Sequence, residues 1–211
     1  MKNKFKGEKN MNNNKALLMG KIKSNPVFDH EISNEKFYSM TLTVERLSEY
    51  IDEIPITVSE KLIDLNKDYI GESVIINGSV RTYNMYNSRK NKLKLSILAK
   101  SISFDVISNT SCNEITLSGF ICKKPVLRKT PSGKTVCDVL LAVNRKYGKS
   151  DYIPCITWGN DALLAGGLDV GDKVVIDGRF QSRNYIKFSN ENKELRTAYE
   201  ISADNITVII D

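Results

Sequence analysis

The sequence is poor in the residue types that build metal sites and catalytic centres. His30 is the single histidine in 211 residues, and the four cysteines include no CxxC pair. Structural zinc ions are held by clustered cysteine and histidine ligands, and acid–base or nucleophilic catalysis needs paired reactive groups that no motif here supplies. We therefore expect no metal, no cofactor and no catalytic residues, and we predict a protein that is not an enzyme.

Long apolar segments are also absent. The apolar runs are short, as in residues 174–176, whereas a bilayer span needs roughly 18 residues or more. Residues 1–13 are rich in lysine and asparagine and lack the apolar core of a secretory signal. We expect them to be a flexible basic arm. The lack of a membrane span and of a secretory signal predicts a cytoplasmic protein with reduced cysteines and no membrane partner.

The charge balance favours basic residues. Lysine and arginine number 31 against 25 acidic residues, which gives a net charge of +6 and a pI near 9.0. This surplus favours polyanionic partners, but it is small, so the placement of the basic residues has to identify the site. Hydrophobic residues make up 41% of the chain, which is enough for a folded core.

The chain contains an internal repeat, because six residues meet identical residues at a displacement of 99 positions. The pairs are Asn14 and Asn113, Leu18 and Leu117, Gly20 and Gly119, Ile22 and Ile121, Pro26 and Pro125, and Val27 and Val126. The repeat predicts a first domain over residues 14–106 and a second over 113–211. Residues 107–112 are rich in serine, asparagine and threonine and are predicted to be a linker.

Each repeat has the residue pattern of a small β-barrel. Apolar and polar residues alternate with period two, as in residues 38–44 and 136–143, which predicts strands. A helical pattern follows the third strand in both repeats, at residues 59–65 and 160–165, opened by the capping residues Ser59 and Asn160. We predict an all-β protein with one short helix per domain, arranged as two tandem five-stranded OB-fold barrels. Another small barrel fold is the alternative.

The second repeat carries aromatic and basic residues close together at three places. OB folds that hold single-stranded nucleic acid combine a basic groove with aromatic rings on which bases stack. The three groups are Arg145, Lys146, Tyr147 and Lys149; Tyr152 and Trp158; and Arg179, Arg183, Tyr185 and Lys187. We predict that these residues form a nucleic-acid-binding surface.

Five segments of the second repeat resemble the bacterial single-stranded DNA-binding protein family. They are residues 125–134 (PVLRKTPSGK), 141–145 (LAVNR), 153–159 (IPCITWG), 174–183 (VVIDGRFQSR) and 199–206 (YEISADNI). The resemblance spans residues 113–208. It implies non-enzymatic binding of single-stranded DNA in replication, recombination, repair or mobile-element maintenance. It also implies base stacking by Tyr147, Tyr152, Trp158 and Tyr185 and phosphate contacts by Arg145, Arg179 and Arg183.

The first repeat departs from this pattern. Ser48, Glu53, Ser59 and Met85 occupy the positions that correspond to the four stacking aromatics. Aromatic and basic residues reappear on its last hairpin, where Arg81, Tyr83 and Tyr86 precede one arginine and three lysines (Arg89, Lys90, Lys92 and Lys94). We therefore describe residues 14–106 as a divergent OB-fold domain, and we predict that any nucleic-acid contact in it is relocated to that hairpin.

The resemblance also carries expectations about assembly and partners. Family members with one OB fold per chain form tetramers, so two folds per chain imply a homodimer that presents four. Members usually carry an acidic tail that recruits replication proteins, and here residue 211 follows the last strand directly. This predicts a tail-less relative, of the primosomal replication protein N type or borne by a plasmid or phage. A protein-interaction or dimerisation module with weak nucleic-acid binding is the alternative function, and RNA is an alternative ligand.

Overall fold

The computed structural model describes residues 13–46, 48, 50–85, 92–104, 106, 111–189 and 192–210. Eleven strands account for most of these residues. In the first half they are β1 (Asn14–Ile22), β2 (Val27–Ile32), β3 (Glu35–Glu45), β4 (Ile51–Ser59), β5 (Ser73–Met85) and β6 (Lys92–Ser103). In the second half they are β7 (Cys112–Lys129), β8 (Thr135–Asn144), β9 (Ser150–Trp158), β10 (Lys173–Ser189) and β11 (Asn192–Ile209). The predicted arm lies outside the described residues apart from Asn13.

Each half closes into a barrel through one parallel strand pair. In the first half β4 pairs with β6, where Ile56 lies opposite Ile97. In the second half β9 pairs with β11, where Cys155 lies opposite Ile201. Strands β1 and β2 together correspond to the single long strand β7, so both barrels have five strands. The prediction of tandem five-stranded OB-fold barrels is confirmed.

The helices differ from the prediction. The second barrel has an eight-residue helix, α1 (Gly159–Gly166), but it begins after Trp158, one residue before the predicted cap Asn160. The first barrel has a single 3₁₀ turn (Glu60–Leu62), which Ser59 caps by accepting a hydrogen bond from the Lys61 amide. A second 3₁₀ turn spans Lys146–Gly148. Within the described ranges, no helix is long and apolar enough to cross a membrane.

The first-barrel turn ends early because a side chain competes for the backbone. The Asp64 carboxylate accepts a hydrogen bond of 3.0 Å from the Asn66 amide. Aspartate side chains that bond two residues ahead stabilise turns at the expense of helix. In α1 the corresponding stretch carries the good helix formers Ala162 and Ala165, both buried against the barrel.

The two barrels join through their first strands around a local twofold axis. Strand β1 pairs antiparallel with β7, and Ala16 lies opposite Ile115 at the centre of the pairing. These two residues are equivalent in the repeat, since they are 99 positions apart, so the contact is symmetric. Strand β7 begins at Cys112, the last residue of the predicted linker, and residues 107–110 lie outside the described part of the chain.

Close packing between strands requires glycine at the bends. A Cβ atom on Gly119 would lie 2.5 Å from the carbonyl oxygen of Ala142, which is closer than non-bonded atoms can approach. We expect Gly119→Ala to destabilise the fold by about 1–3 kcal/mol, measured by urea unfolding. Gly167→Ala is the matched control, because its Cβ would reach only an ordinary contact of 3.4 Å with the Leu164 carbonyl oxygen. Equal losses in the two variants would contradict the packing argument.

Candidate nucleic-acid interface

Strand β9 divides its side chains between the barrel core and the outside. Successive residues of a strand point to opposite sides. Ile153 and Cys155 are buried in the core, so Tyr152 and Trp158 point outward, and they are 50% and 37% exposed. Both aromatic residues predicted on this strand therefore lie on the same side of the sheet.

The same side of the sheet continues across β11 and β10. The parallel pairing puts Ser202 of β11 beside Ile156, which is covered but by alternation points to the same side of β9 as Tyr152 and Trp158. Ser202 in turn lies opposite Arg179 of β10, and along β10 the alternation brings Arg183 and Tyr185 to the same side. We call this surface the outer face; it comprises Tyr152, Trp158, Arg179, Arg183 and Tyr185.

Trp158 is held in a fixed orientation on the outer face. Its indole Nε1 donates a hydrogen bond of 3.1 Å to the hydroxyl of Ser202, which fastens β9 to β11 beside the start of α1. Ser202 is buried, whereas a third of the indole is exposed. The ring is thus neither in the core nor free to rotate, and an exposed, oriented aromatic ring is what base stacking requires.

Each arginine of the outer face lies near a carboxylate. Arg179 lies 3.1 Å from Asp204, and Arg183 lies 3.6 Å from Glu200. Asp204 is exposed, and exposed pairs contribute at most about 1 kcal/mol, because water screens them. Glu200 is mostly buried, but the Arg183 side chain is itself 55% exposed. Both guanidinium groups are therefore reachable by an anionic ligand.

Arg145 does not belong to the outer face. It donates from Nε to the buried Asp151 at 2.6 Å and from Nη2 to the carbonyl oxygen of Thr82 at 2.9 Å. Thr82 is part of the first barrel, so Arg145 links the two domains. Its predicted phosphate contact is not supported by this geometry, because its donors are directed at protein acceptors. Lys146 and Lys149 on the adjacent turn are exposed, and the side chain of Tyr147 lies outside the described part.

The predicted residues of the first barrel are also divided between two environments. Arg81 lies 3.0 Å from Asp151 and shares that carboxylate with Arg145. Tyr83 is half-buried, with the Lys94 ammonium 5.3 Å from its ring centre. Tyr86 lies outside the described residues, as does the side chain of Lys187. Tyr83 is thus the one described aromatic of that predicted hairpin.

Cross-strand register reveals residues that the linear sequence does not single out. His30 stacks on Phe37 of the neighbouring strand, with ring centres 5.1 Å apart and planes 11° from parallel. Arg196 lies opposite Tyr185 at the hairpin of the outer face. The partners of each pair are separated in sequence and meet only through strand pairing. The sequence signal for them is the two-residue alternation of side chains along an assumed hairpin.

Asp29 and Lys94 add charge beside the His30–Phe37 stack. Burial raises the pKa of Asp29, but the hydrogen bond from His30 and the charge of Lys94 together outweigh it and lower the pKa below its usual value. Burial lowers the pKa of Lys94, whereas Tyr83 and Asp29 raise it, and the net shift is upward. Lys94 is therefore held in its cationic form beside the Tyr83 ring.

Proteins that hold single-stranded nucleic acid by stacking include small barrels with aromatic and basic side chains on one open face. The second barrel has this arrangement. Residues 112–209 match the Single-strand binding protein family. The second half of the chain is thus similar to that family.

The curated relatives match the second half of the chain. Single-stranded DNA-binding protein A of Bacillus subtilis is 35% identical over 101 residues, which are 44% of this chain and 57% of that protein. The single-stranded DNA-binding protein of Oceanobacillus iheyensis is 34% identical over 103 residues, which are 44% of this chain and 61% of that protein. The matched part thus spans little more than half the length of these relatives.

A solved structure matches both halves. The single-stranded DNA binding protein from Thermus aquaticus superposes with a TM-score of 0.75 and covers 94% of this chain and 93% of its own. The sequences are 17% identical, so this likeness concerns the fold. The likeness in fold therefore extends beyond the half that the family model matches.

Proposed function

We propose that this protein binds single-stranded DNA on the outer face of its second barrel, without catalysing a reaction. The observation that carries the proposal is the continuity of that face: Tyr152, Trp158 and Tyr185 point to one side of one curved sheet together with Arg179 and Arg183. Residues 112–209 also match a family whose curated members are named for binding single-stranded DNA.

Binding follows from two physical effects. Exposed rings offer flat surfaces to unpaired bases, at about 1–3 kcal/mol per stacked base and with little regard to sequence. Arginine side chains neutralise backbone phosphates and release counterions, so affinity falls as salt rises. The half-exposed Tyr152 and the oriented Trp158 serve the first effect, and Arg183 serves the second.

The first barrel contributes differently. Glu53 takes the place of Tyr152 on the corresponding strand and is exposed there, so it disfavours a phosphate backbone on that surface. Tyr83, Lys94 and the His30–Phe37 stack remain as candidate contacts of this barrel. A protein-docking or dimerisation role for the first barrel is the second candidate function, and the exposed apolar residues Val27 and Phe28 favour it.

The fluorescence of Trp158 tests the main proposal, because it is the single tryptophan of the chain. We expect oligo(dT) to change the emission saturably, and the logarithm of the binding constant to fall linearly with the logarithm of salt concentration. Arg183→Gln should reduce the magnitude of that slope by about 0.7, the contribution of one phosphate contact on a single strand. Unchanged emission together with absent binding by filter retention would refute the proposal.

We also propose the setting in which this binding operates. Two chains associate to present four barrels, and light scattering should then give twice the chain mass of 23.8 kDa. The DNA processes are replication, recombination, repair or mobile-element maintenance in the cytoplasm, with replication proteins as candidate partners. A scattering mass of one chain at micromolar concentration would remove the dimer from the proposal.

A further inference from the structure

Two buried aspartates fasten the barrels to each other at equivalent places. Asp151 of β9 accepts a hydrogen bond of 2.7 Å from the Thr82 amide of β5. Asp52 of β4 accepts one of 2.8 Å from the Ser182 amide of β10. Both carboxylates are fully buried, and the repeat relates them by 99 positions. We call these contacts the Asp151 junction and the Asp52 junction.

The Asp151 junction has an excess of positive charge. Its single carboxylate is shared by Arg81 at 3.0 Å and by Arg145. Burial and the positive charge of Arg81 lower the pKa of Lys100, which places a third cation within electrostatic reach. Lys149 is exposed on the turn that Arg145 and Asp151 flank. One negative charge therefore faces several cations.

Strand residues that carry aromatic rings adjoin the Asp151 junction in both barrels. The backbone amide of Tyr152 donates to the Thr82 hydroxyl at 3.0 Å. Tyr152 is therefore the outer-face residue whose backbone contacts the first barrel directly. Tyr83 is the next residue along that first-barrel strand, with Lys94 over its ring. A strand leaving Tyr152 thus finds a ring and cations immediately across the boundary.

The Asp52 junction has no such excess. Asp52 is paired with a single arginine, Arg46, through two contacts of 2.6 Å. Gln181 stands at the place of Arg81 and donates to Glu200 at 2.7 Å. Glu53 stands at the place of Tyr152, and its charge is matched by Lys23 at 2.5 Å. Each cation at this junction has its own carboxylate, which leaves no surplus to attract a phosphate.

The negative character of Glu53 reaches the neighbouring barrel. Burial and then the charge of Glu53 raise the pKa of Tyr199, a residue of β11 in the second barrel, and the charges of Lys94 and Lys23 offset only part of that rise. Asp204 lies at the place that Lys100 occupies in the first repeat, and it pairs with Arg179. A strand approaching the Asp52 junction would therefore meet the carboxylates of Glu53 and Asp204 at the places where the other junction has Tyr152 and Lys100.

We propose that single-stranded DNA crosses between the barrels at the Asp151 junction and not at the Asp52 junction. This inference rests on the proposed function and adds a path to it: the strand runs over the outer face to Tyr152, passes the cations of the junction and continues over Tyr83 and Lys94. The two equivalent junctions of the duplicated fold offer two crossings. Residues such as Glu53, which replaces the aromatic residue at the Asp52 junction, leave only the Asp151 junction favourable to the strand.

A comparison of oligonucleotide lengths tests this path. One OB fold covers about 4–16 nucleotides, so (dT) of about 8 residues occupies one barrel and (dT) of about 30 reaches both. The variant Lys146→Glu/Lys149→Glu reverses charge at the Asp151 junction, and Lys23→Glu is the control at the other. For the full chain and each variant, the affinity for the long oligonucleotide is divided by the affinity for the short one. Comparing this ratio between variants cancels the statistical advantage of longer strands.

We expect the double variant to lower that ratio by about tenfold, in line with the loss of two or more phosphate contacts, and Lys23→Glu to leave it unchanged. An unchanged ratio in the double variant, or an equal fall in Lys23→Glu, would overturn the inference. If the unmodified protein binds neither oligonucleotide, the proposed function fails instead. Thermal unfolding checks that both variants remain folded, as expected for exposed lysines.

Discussion

Asp151→Ala is expected to destabilise the folded chain by about 3 kcal/mol, because it leaves two guanidinium groups without their carboxylate at a domain contact. Asp151 is fully buried and accepts from Arg81, Arg145 and the Thr82 amide. Water reaches about a quarter of each arginine, which keeps the effect at the lower end of the range for broken buried pairs. The midpoint of urea unfolding measures it.

Asp138→Ala is the matched control for this change. Asp138 also pairs with an arginine, Arg128, through contacts of 2.6 and 2.9 Å, but both side chains are exposed. Its loss should cost less than about 1 kcal/mol. If the two variants unfold at the same urea concentration, the Asp151 junction does not stabilise the association of the barrels.

Tyr152→Ala/Tyr185→Ala is expected to weaken oligo(dT) binding by at least about 30-fold. Two stacked bases together contribute about 2–6 kcal/mol, and every 1.4 kcal/mol is a factor of about ten. Tyr152 and Tyr185 are both outward and exposed, so their removal should leave the core intact. Anisotropy of a labelled oligonucleotide measures the loss without relying on Trp158.

Tyr50→Ala serves as the control for aromatic content. Tyr50 is 43% exposed, but it lies off the outer face, with its ring 4.5 Å from the Arg46 guanidinium. Its removal should change oligo(dT) affinity by less than about twofold, since no stacked base is lost. Equal weakening by Tyr50→Ala and by the double variant would show that ring exposure alone, without position, governs the affinity.

The repeat made most of the fold predictable. Period-two alternation and the shared offset of 99 residues are local properties, and they indicated strands, barrels and their number. The helix of the first barrel was predicted wrongly, because the Asp64 side chain bonds the Asn66 amide and ends the turn. Propensity and pattern favoured a helix there, and one hydrogen bond within three residues outweighed them.

The outward positions of the residues proposed to stack on bases were predictable for the same local reason. Tyr152 and Trp158 are six positions apart on one strand, so an even spacing puts them on one side wherever that strand lies. Tyr185 needed the order of strands as well, and the OB-fold plan supplied it. The orientation of Trp158 toward Ser202 did not follow, because that contact joins strands 44 residues apart.

By itself the sequence determined what depends on neighbouring residues: alternation, duplication, basic and aromatic clusters, and the resemblance of the second repeat to a family. Tertiary structure alone decided which arginines are available to a ligand. Arg145 and Arg179 look alike in the sequence, yet one is directed at the buried Asp151 and the other at an exposed carboxylate. The difference arises because docking of the barrels buries a charge that must be paired, and that docking joins residues about 70 positions apart.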